Sequence, residues 1–159
     1  MKKLRIGLCG TGNVGFAFAE TIINSKSLIN QNYGLDLSIS LIGARKGKVP
    51  GLENIKVIID IQEVPLSDEV DVVVELIGGV EESFKLAKAA LNNKKHFVTA
   101  NKALIAAHSK ELFEIAKQNQ VHLGFEAPVA GGIPIIRVIR DGLMSNQINS
   151  FAGILNGTS

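Results

Sequence analysis

The sequence predicts an α/β protein, a doubly wound and mostly parallel sheet with helices on both faces. Three observations carry that expectation. Short apolar runs alternate with segments of helical periodicity along most of the chain, the alternation that builds strand–helix–strand units. One run, residues 70–77, is nearly continuously apolar with Asp71 and Glu75 toward its ends, as suits a central parallel strand buried on both faces. The first run ends in Gly10-Thr11-Gly12-Asn13-Val14-Gly15, a tight turn of the kind that joins a strand to a helix.

Residues 4–9 form the first expected strand, and behind the glycine turn Val14, Ala17, Phe18 and Ile22 recur at helical spacing. The polar stretch Asn30-Gln31-Asn32-Tyr33-Gly34 is expected as a loop leading to a strand at 35–43, where apolar and polar residues alternate before the run turns apolar. Arg45-Lys46-Gly47-Lys48 follows as a basic loop. Gly78-Gly79 stops the buried strand, and residues 81–93 are expected as a helix with acids in its first turn, where the helix dipole favours them, and Lys94-Lys95 just past its end. A strand over 96–100, a helix from about 109 to 119 and a strand over 121–126 continue the alternation. Past Glu126 the texture changes to a loop at 130–134, a helix over 135–143 and a strand over 150–155. Residues 1–130 are accordingly expected as one domain, and 131–159 as a connecting helix with the first strand of a second domain that the chain only begins.

At 159 residues the chain has one domain's worth of length, and such a chain buries about 70% of its unfolded surface, enough for an ordinary core. Hydrophobic residues at 46% and charged residues at 20% are globular proportions. No apolar stretch reaches the roughly 18 residues of a membrane span, and Met1-Lys2-Lys3 leads into a short strand and not a signal sequence, so a cytoplasmic protein without a membrane partner is expected. A net charge of +2, a single tyrosine and no tryptophan speak against a nucleic-acid partner. One cysteine, Cys9, excludes an internal disulfide, and His96, His108 and His122 are too scattered for a metal-ligand pattern.

Gly10-x-Gly12-x-x-Gly15 has the dinucleotide-binding spacing of a Rossmann-type fold. Its first glycine permits the turn, its second lets backbone approach a pyrophosphate, and its third lets helix pack on strand. The bland reading is a tight turn without a ligand. An NAD-preferring site usually carries an acid at the end of the second strand; here Gly43 and Ala44 are followed by Arg45 and Lys46, which favours a 2′-phosphate and hence NADP over NAD, unless the cations form only a solvated loop. Asn101 and Lys102 follow an apolar strand at the edge where such sheets bind ligands. Lys102 is either a surface charge or a fixed ammonium that stabilises negative charge growing on a carbonyl oxygen or relays its proton, and Asn101 either orients it or meets the cofactor. Glu75 and Glu126 close strands at the same edge, and either serves a site or caps a turn. Cys9 lies inside the first strand and reads as a small buried hydrophobe, which argues against thioester chemistry.

The blocks Val73-Val74-Glu75-Leu76-Ile77-Gly78-Gly79, Val98-Thr99-Ala100-Asn101-Lys102-Ala103-Leu104-Ile105, Glu126-Ala127-Pro128-Val129-Ala130-Gly131-Gly132-Ile133-Pro134-Ile135-Ile136 and Gly153-Ile154-Leu155-Asn156-Gly157-Thr158 closely resemble homoserine dehydrogenase, in order and along the whole chain. The resemblance implies NAD(P)H-dependent reduction of L-aspartate 4-semialdehyde to L-homoserine, on the route to threonine, methionine and isoleucine. It implies cofactor contacts from Gly10, Thr11, Gly12, Asn13, Val14, Gly15, Ile77, Gly78 and Asn101, with Arg45 and Lys46 at a 2′-phosphate and Lys102 beside the nicotinamide as catalytic group. It also implies a monovalent cation, usually sodium, held by oxygens of Glu126, Val129, Gly131 and Ile133. The family continues past the Asn-Gly-Thr block into a domain with the substrate-binding acids, a second lysine and most of a homodimer surface, so this chain is expected to bind NADP(H) and turn over little substrate. A stand-alone nucleotide-binding module and a dehydrogenase acting on a different carbonyl remain as alternative readings.

Overall fold

A computed structural model of the chain, describing residues 1–153, contains the strands β1 (Lys2–Cys9), β2 (Leu35–Gly43), β3 (Lys56–Ile58), β4 (Val72–Glu75), β5 (His96–Thr99) and β6 (Leu123–Gly124). Every pairing is parallel, and the order across the sheet is β3-β2-β1-β4-β5-β6. The chain walks outward from β1 to β3, returns to β4 and walks the other way. Right-handed crossovers in opposite directions must lie on opposite faces, so the sheet is doubly wound as expected.

Helix α1 (Asn13–Asn24) and its continuation α2 (Lys26–Tyr33) connect β1 to β2, a 3-10 helix (Ile61–Leu66) precedes β4, α3 (Glu81–Asn92) joins β4 to β5, and α4 (Lys102–Gln118) joins β5 to β6. Alternation along β1 sends Ile6 and Leu8 into a cluster with Ala19 and Ile22 of α1 and with Val72 and Val74 of β4. Cys9 joins the opposite cluster, where Val73 and Phe97 meet Leu86 and Leu91 of α3 and Leu104 and Leu112 of α4. Fully burying one such leucine or phenylalanine contributes about 1.5–3 kcal/mol, so these helices are held by packing more than by propensity.

Two glycines set the distance of the 3-10 helix. A Cβ on Gly7 would stand 2.5 Å from Val64 Cγ1, and one on Gly43 would stand 2.9 Å from Val64 Cγ2. With no side chain in either place, Val64 lies directly on the middle of the sheet, fully buried. At the opposite, amino-terminal edge, Arg5 grips Asp71 through Nε–Oδ2 at 3.0 Å and Nη2–Oδ1 at 2.7 Å, while the Arg5 amide donates to Asp71 Oδ2 at 2.8 Å. The guanidinium hydrogen bond holds the Asp71 carboxyl below its ordinary range.

Several boundaries differ from the sequence expectation. The stretch expected as a loop at 30–34 is mostly the end of α2, an exposed helix with no buried residue to give it an apolar stripe; Gly34, at φ 65°, ends it. β3 and the 3-10 helix have no counterpart in the expectation, because a three-residue strand and a turn-like helix carry no measurable period. α4 begins at Lys102, well before the expected 109, since Asn101 caps it by accepting from the Leu104 amide. The expected strand at 121–126 shrinks to Leu123–Gly124, and the helix expected over 135–143 is a short α5 (Ile135–Arg137) widening into a π-turn, Val138–Gly142. Residues 150–153 are not in a strand; the rest of the strand expected there, and most of the Asn-Gly-Thr block, lies outside the described residues.

Candidate functional site

Because all six strands are parallel, the residues singled out in the sequence gather along one edge, at the carboxyl ends of the strands. Gly10 to Gly15 lie between β1 and α1, Arg45 and Lys46 just past β2, Ile77 and Gly78 just past β4, Asn101 and Lys102 just past β5, and the Glu126–Ile133 turn beyond β6. The winding reverses between β1 and β4, which is the crevice where open α/β sheets take their ligands.

The three fingerprint glycines have separable roles. Gly10 adopts φ +100°, a left-handed backbone that L side chains rarely enter, and a Cβ there would meet the Leu76 carbonyl at 2.7 Å. A Cβ on Gly15 would lie 2.0 Å from the Gly10 carbonyl oxygen, so α1 can press onto its own entry turn only with glycine at that point. Gly12 is different: a Cβ there meets nothing within 4 Å. Its lack of a side chain relieves no crowding within the protein and leaves open space in front of the α1 N-terminus. That terminus carries no side-chain cap and no acidic residue in its first turn, and Gly12, Asn13 and Val14 are exposed, Val14 at 65%. Uncapped amide hydrogens at the positive end of a helix dipole attract an anion.

Past β2, Gly43 and Ala44 are buried while Arg45 and Lys46 are exposed. The Gly10 amide donates to the Gly43 carbonyl at 3.1 Å, which fixes the basic loop next to the glycine turn. Past β5, Lys102 is exposed as the first residue of α4. A cation at a helix N-terminus opposes the dipole at a cost of about 0.3–1 kcal/mol, so neither the helix nor a salt bridge among the described residues accounts for it.

Asn101, Glu75, Thr99 and Ser83 are the buried polar side chains of the described residues, and all four meet behind this edge. Glu75 Oε1 accepts from the amides of Ile77 (2.8 Å) and Gly78 (3.0 Å), and Oε2 accepts from the Thr99 hydroxyl. Thr99 Oγ1 accepts from the Asn101 amide at 2.9 Å, and Asn101 Nδ2 donates to the Gly79 carbonyl and to Ser83 Oγ. Glu75 is therefore a turn cap. Thr99 and Ser83 were not singled out from the sequence; the signal available was Glu75, an acid inside a buried run that needs partners on its neighbours. Cys9 is fully buried with its thiol pushed up to about 12, mainly by that burial and then by the Glu75 charge, as fits a small hydrophobe.

Glu126 also caps. Its Oε1 accepts from the Ile136 amide and its Oε2 from the Arg137 amide, both at 2.9 Å, which fastens α5 to the end of β6. The intervening turn passes through Ala130 and Gly131 at φ 57° and 60°, and the Ile133 carbonyl accepts from Ile135. Among the described residues no group of three or more His, Cys, Asp or Glu side chains forms a metal cluster.

A glycine turn crowded at its first and third positions and open at its second, beneath a bare helix N-terminus at the reversal of a 3-2-1-4-5-6 sheet, defines a dinucleotide-binding domain of the Rossmann type. A family model described as the NAD-binding domain of homoserine dehydrogenase matches residues 10–126. The homoserine dehydrogenase of Pseudomonas aeruginosa is 42% identical over 165 residues, and that of Helicobacter pylori 44% identical over 158, each alignment taking in 99% of this chain and 37% of the relative. Among solved structures, a homoserine dehydrogenase from Thiobacillus denitrificans superposes with a TM-score of 0.82 at 35% identity, over 92% of this chain and 35% of the other. A hyperthermophilic archaeal homoserine dehydrogenase in complex with NADPH gives 0.75 at 27% identity, over 90% and 50%. The chain belongs to the homoserine dehydrogenase family, as its nicotinamide-nucleotide-binding domain, and spans a little over a third of the curated relatives it matches, 37%.

Proposed function

We propose that this chain is the NADP(H)-binding part of an oxidoreductase that reduces L-aspartate 4-semialdehyde to L-homoserine, in the biosynthesis of threonine, methionine and isoleucine in the cytoplasm, with Lys102 the catalytic group this domain contributes. The observation that carries the reading is the pairing of an open Gly12, in front of the bare α1 N-terminus, with an exposed Lys102 two strands along the same edge. Adjacent strands are spaced by about 4.8 Å, so the ends of β1 and β5, from which these two turns leave, stand roughly 10 Å apart. That separation suits a pyrophosphate at one and a nicotinamide toward the other.

When bound, the reduced nicotinamide supplies hydride. The chain's own residues bind and polarise. The amides at the start of α1 take the pyrophosphate, Thr11, Asn13 and Val14 line its path, and Arg45 with Lys46 meets the 2′-phosphate. Ile77, Gly78 and Asn101 border the nicotinamide end. In this reading the Lys102 ammonium stabilises the negative charge that grows on the carbonyl oxygen and returns a proton to it. Residues 131–159 begin the second domain of this reading. The Glu126 bonds to the Ile136 and Arg137 amides support a fixed junction between it and residues 1–130, and the homodimer surface belongs to sequence beyond that junction.

The same reading assigns a monovalent cation to this turn, with the backbone oxygens of Glu126, Val129, Gly131 and Ile133 as its hard donors. Both oxygens of the Glu126 carboxylate hold the Ile136 and Arg137 amides, and the Glu126 and Ile133 carbonyls accept the Val129 and Ile135 amides, so the proposal assigns the side chain to the junction, and a sodium ion would share those two carbonyls with the amides they hold.

Titrating the chain with NADPH and NADH tests the cofactor assignment. NADPH is expected to bind more tightly, with Arg45→Ala removing the difference. NADH affinity equal to or better than that for NADPH sinks the NADP preference, and absence of binding by either sinks the reading.

A further inference from the structure

We propose that Glu75, Thr99 and Asn101 form a positioning relay that holds the Ile77-Gly78-Gly79 loop and the first turn of α4 in one fixed relation, so that the loop and Lys102 grip the nicotinamide end of the cofactor together. The inference rests on the reading of this edge as a nicotinamide site and goes beyond it by assigning a function to Glu75 and Thr99, which touch no ligand and act through Asn101 and the loop.

Burial makes the case first. Glu75 has no exposed surface, and a carboxylate withdrawn from water is costly unless its oxygens are fully bonded, whereas an apolar residue of similar size would fill the space without that cost. What the carboxylate supplies is acceptors. One oxygen takes the amides of Ile77 and Gly78, which enter a pair of glycines at φ 75° and 78°, and the other takes the Thr99 hydroxyl on the neighbouring strand. With both oxygens committed, Glu75 acts through its partners and not on a substrate.

Connectivity makes the case second. Thr99 receives the Asn101 amide, and Asn101 then acts in two directions: its Oδ1 caps α4 at the Leu104 amide, and its Nδ2 reaches back to the Gly79 carbonyl and Ser83 Oγ. Ser83 closes the ring by donating to the Gly78 carbonyl at 3.3 Å. The loop after β4 is thus tied to the start of α4 at both of its ends. Lys102 follows Asn101 directly, so the same cap that orients the helix sets where the ammonium departs. No buried side-chain nitrogen or oxygen of the described residues lacks a partner, so removing the Thr99 hydroxyl takes one away from both Glu75 Oε2 and the Asn101 amide.

The test compares the intact 159-residue chain with Thr99→Val, which keeps shape and loses the hydroxyl, with Thr99→Ser, which restores it, and with Glu75→Gln. Two ligands separate the ends of the site: NADPH, whose nicotinamide emission reports its own surroundings, and adenosine 2′,5′-bisphosphate, which has no nicotinamide. Thr99→Val is expected to weaken NADPH by about tenfold, the scale of a lost buried hydrogen bond, and to abolish the emission change on binding, with the bisphosphate held within about twofold and Thr99→Ser close to wild type. Unchanged NADPH binding and emission, or parallel loss of both ligands, overturns the relay. If Thr99→Val does not fold, Glu75→Gln against Thr99→Ser is read in the same way. Failure of the wild-type chain to bind either ligand removes the nicotinamide reading and the relay with it, whereas wild-type binding with an unaffected variant removes the relay alone.

Discussion

Gly12→Ala separates the site from the fold that carries it. The backbone at Gly12, with φ −69° and ψ −170°, is open to any L residue, and the added methyl finds no protein atom within 4 Å. The folding cost is therefore limited to the poorer N-cap, about 0.5–1 kcal/mol. On the proposed reading, a pyrophosphate drawn to the α1 N-terminus would meet that methyl directly. Losing one amide hydrogen bond to a charged group costs about 1.5–3 kcal/mol, which lowers affinity by about 10- to 150-fold. Gly15→Ala is the contrasting change: its Cβ would start 2.0 Å from the Gly10 carbonyl oxygen, and reaching the 3.0 Å limit of real contacts means moving α1 by about 1 Å. Overpacking of this kind costs about 1–3 kcal/mol, and more where the obstacle is backbone. Guanidinium unfolding and fluorescence titration with NADPH, run on both variants, give the comparison. Wild-type affinity in Gly12→Ala, or unfolding of Gly12→Ala as severe as that of Gly15→Ala, refutes the reasoning.

The remaining predictions concern groups away from the ligand. Cys9, with its thiol at about 12, should resist an aromatic disulfide reagent in the native chain at pH 8 and react fully once guanidinium unfolds it; rapid native labelling would contradict its place in the core. Asp71 titrates below its unfolded value because Arg5 hydrogen-bonds its carboxylate. Its contribution to stability is thus complete above the unfolded pKa of about 3.9 and is lost as pH falls through the folded value. Asp71→Asn should flatten the decline of stability below about pH 4, by a small amount that salt reduces further because the pair is partly exposed, and a decline as steep as wild type would remove Asp71 from the account.

The doubly wound sheet was legible because its signals are local and strong: alternation, a fully apolar central run, and glycines at a meaningful spacing. What stayed hidden follows from weak or long-range signals. α2 buries nothing and so shows no stripe, while β3 exists only because β2 offers it an edge. The early start of α4 is a local signal too, since Asn101 before a good helix-forming run is a capping signal, but the apolar run of Val98 and Ala100 continues into Ala103, Leu104 and Ile105 and blurs where strand gives way to helix. At the candidate site, Gly12, Arg45 and Lys102 can each be picked out from the sequence as a candidate. The cross-strand ring through Thr99 and Ser83 was not, because Ser83 and Thr99 are ordinary residues until β4 and β5 are laid side by side.

The closeness of the 3-10 helix to the sheet has a consequence for altering cofactor choice by design. Position 43 is closed by Val64 and Ile61, and Ala44 is 6% exposed with its amide bound to the Ile58 carbonyl. Both places where a ribose-binding acid ordinarily stands are inside the protein, so an aspartate introduced at either would be buried as an unpaired charge before it could meet a hydroxyl. The first side chain free to face a nucleotide is that of Arg45. Exchanging one dinucleotide for the other is therefore an engineering problem confined to a single exposed loop, with the strand that precedes it locked from behind.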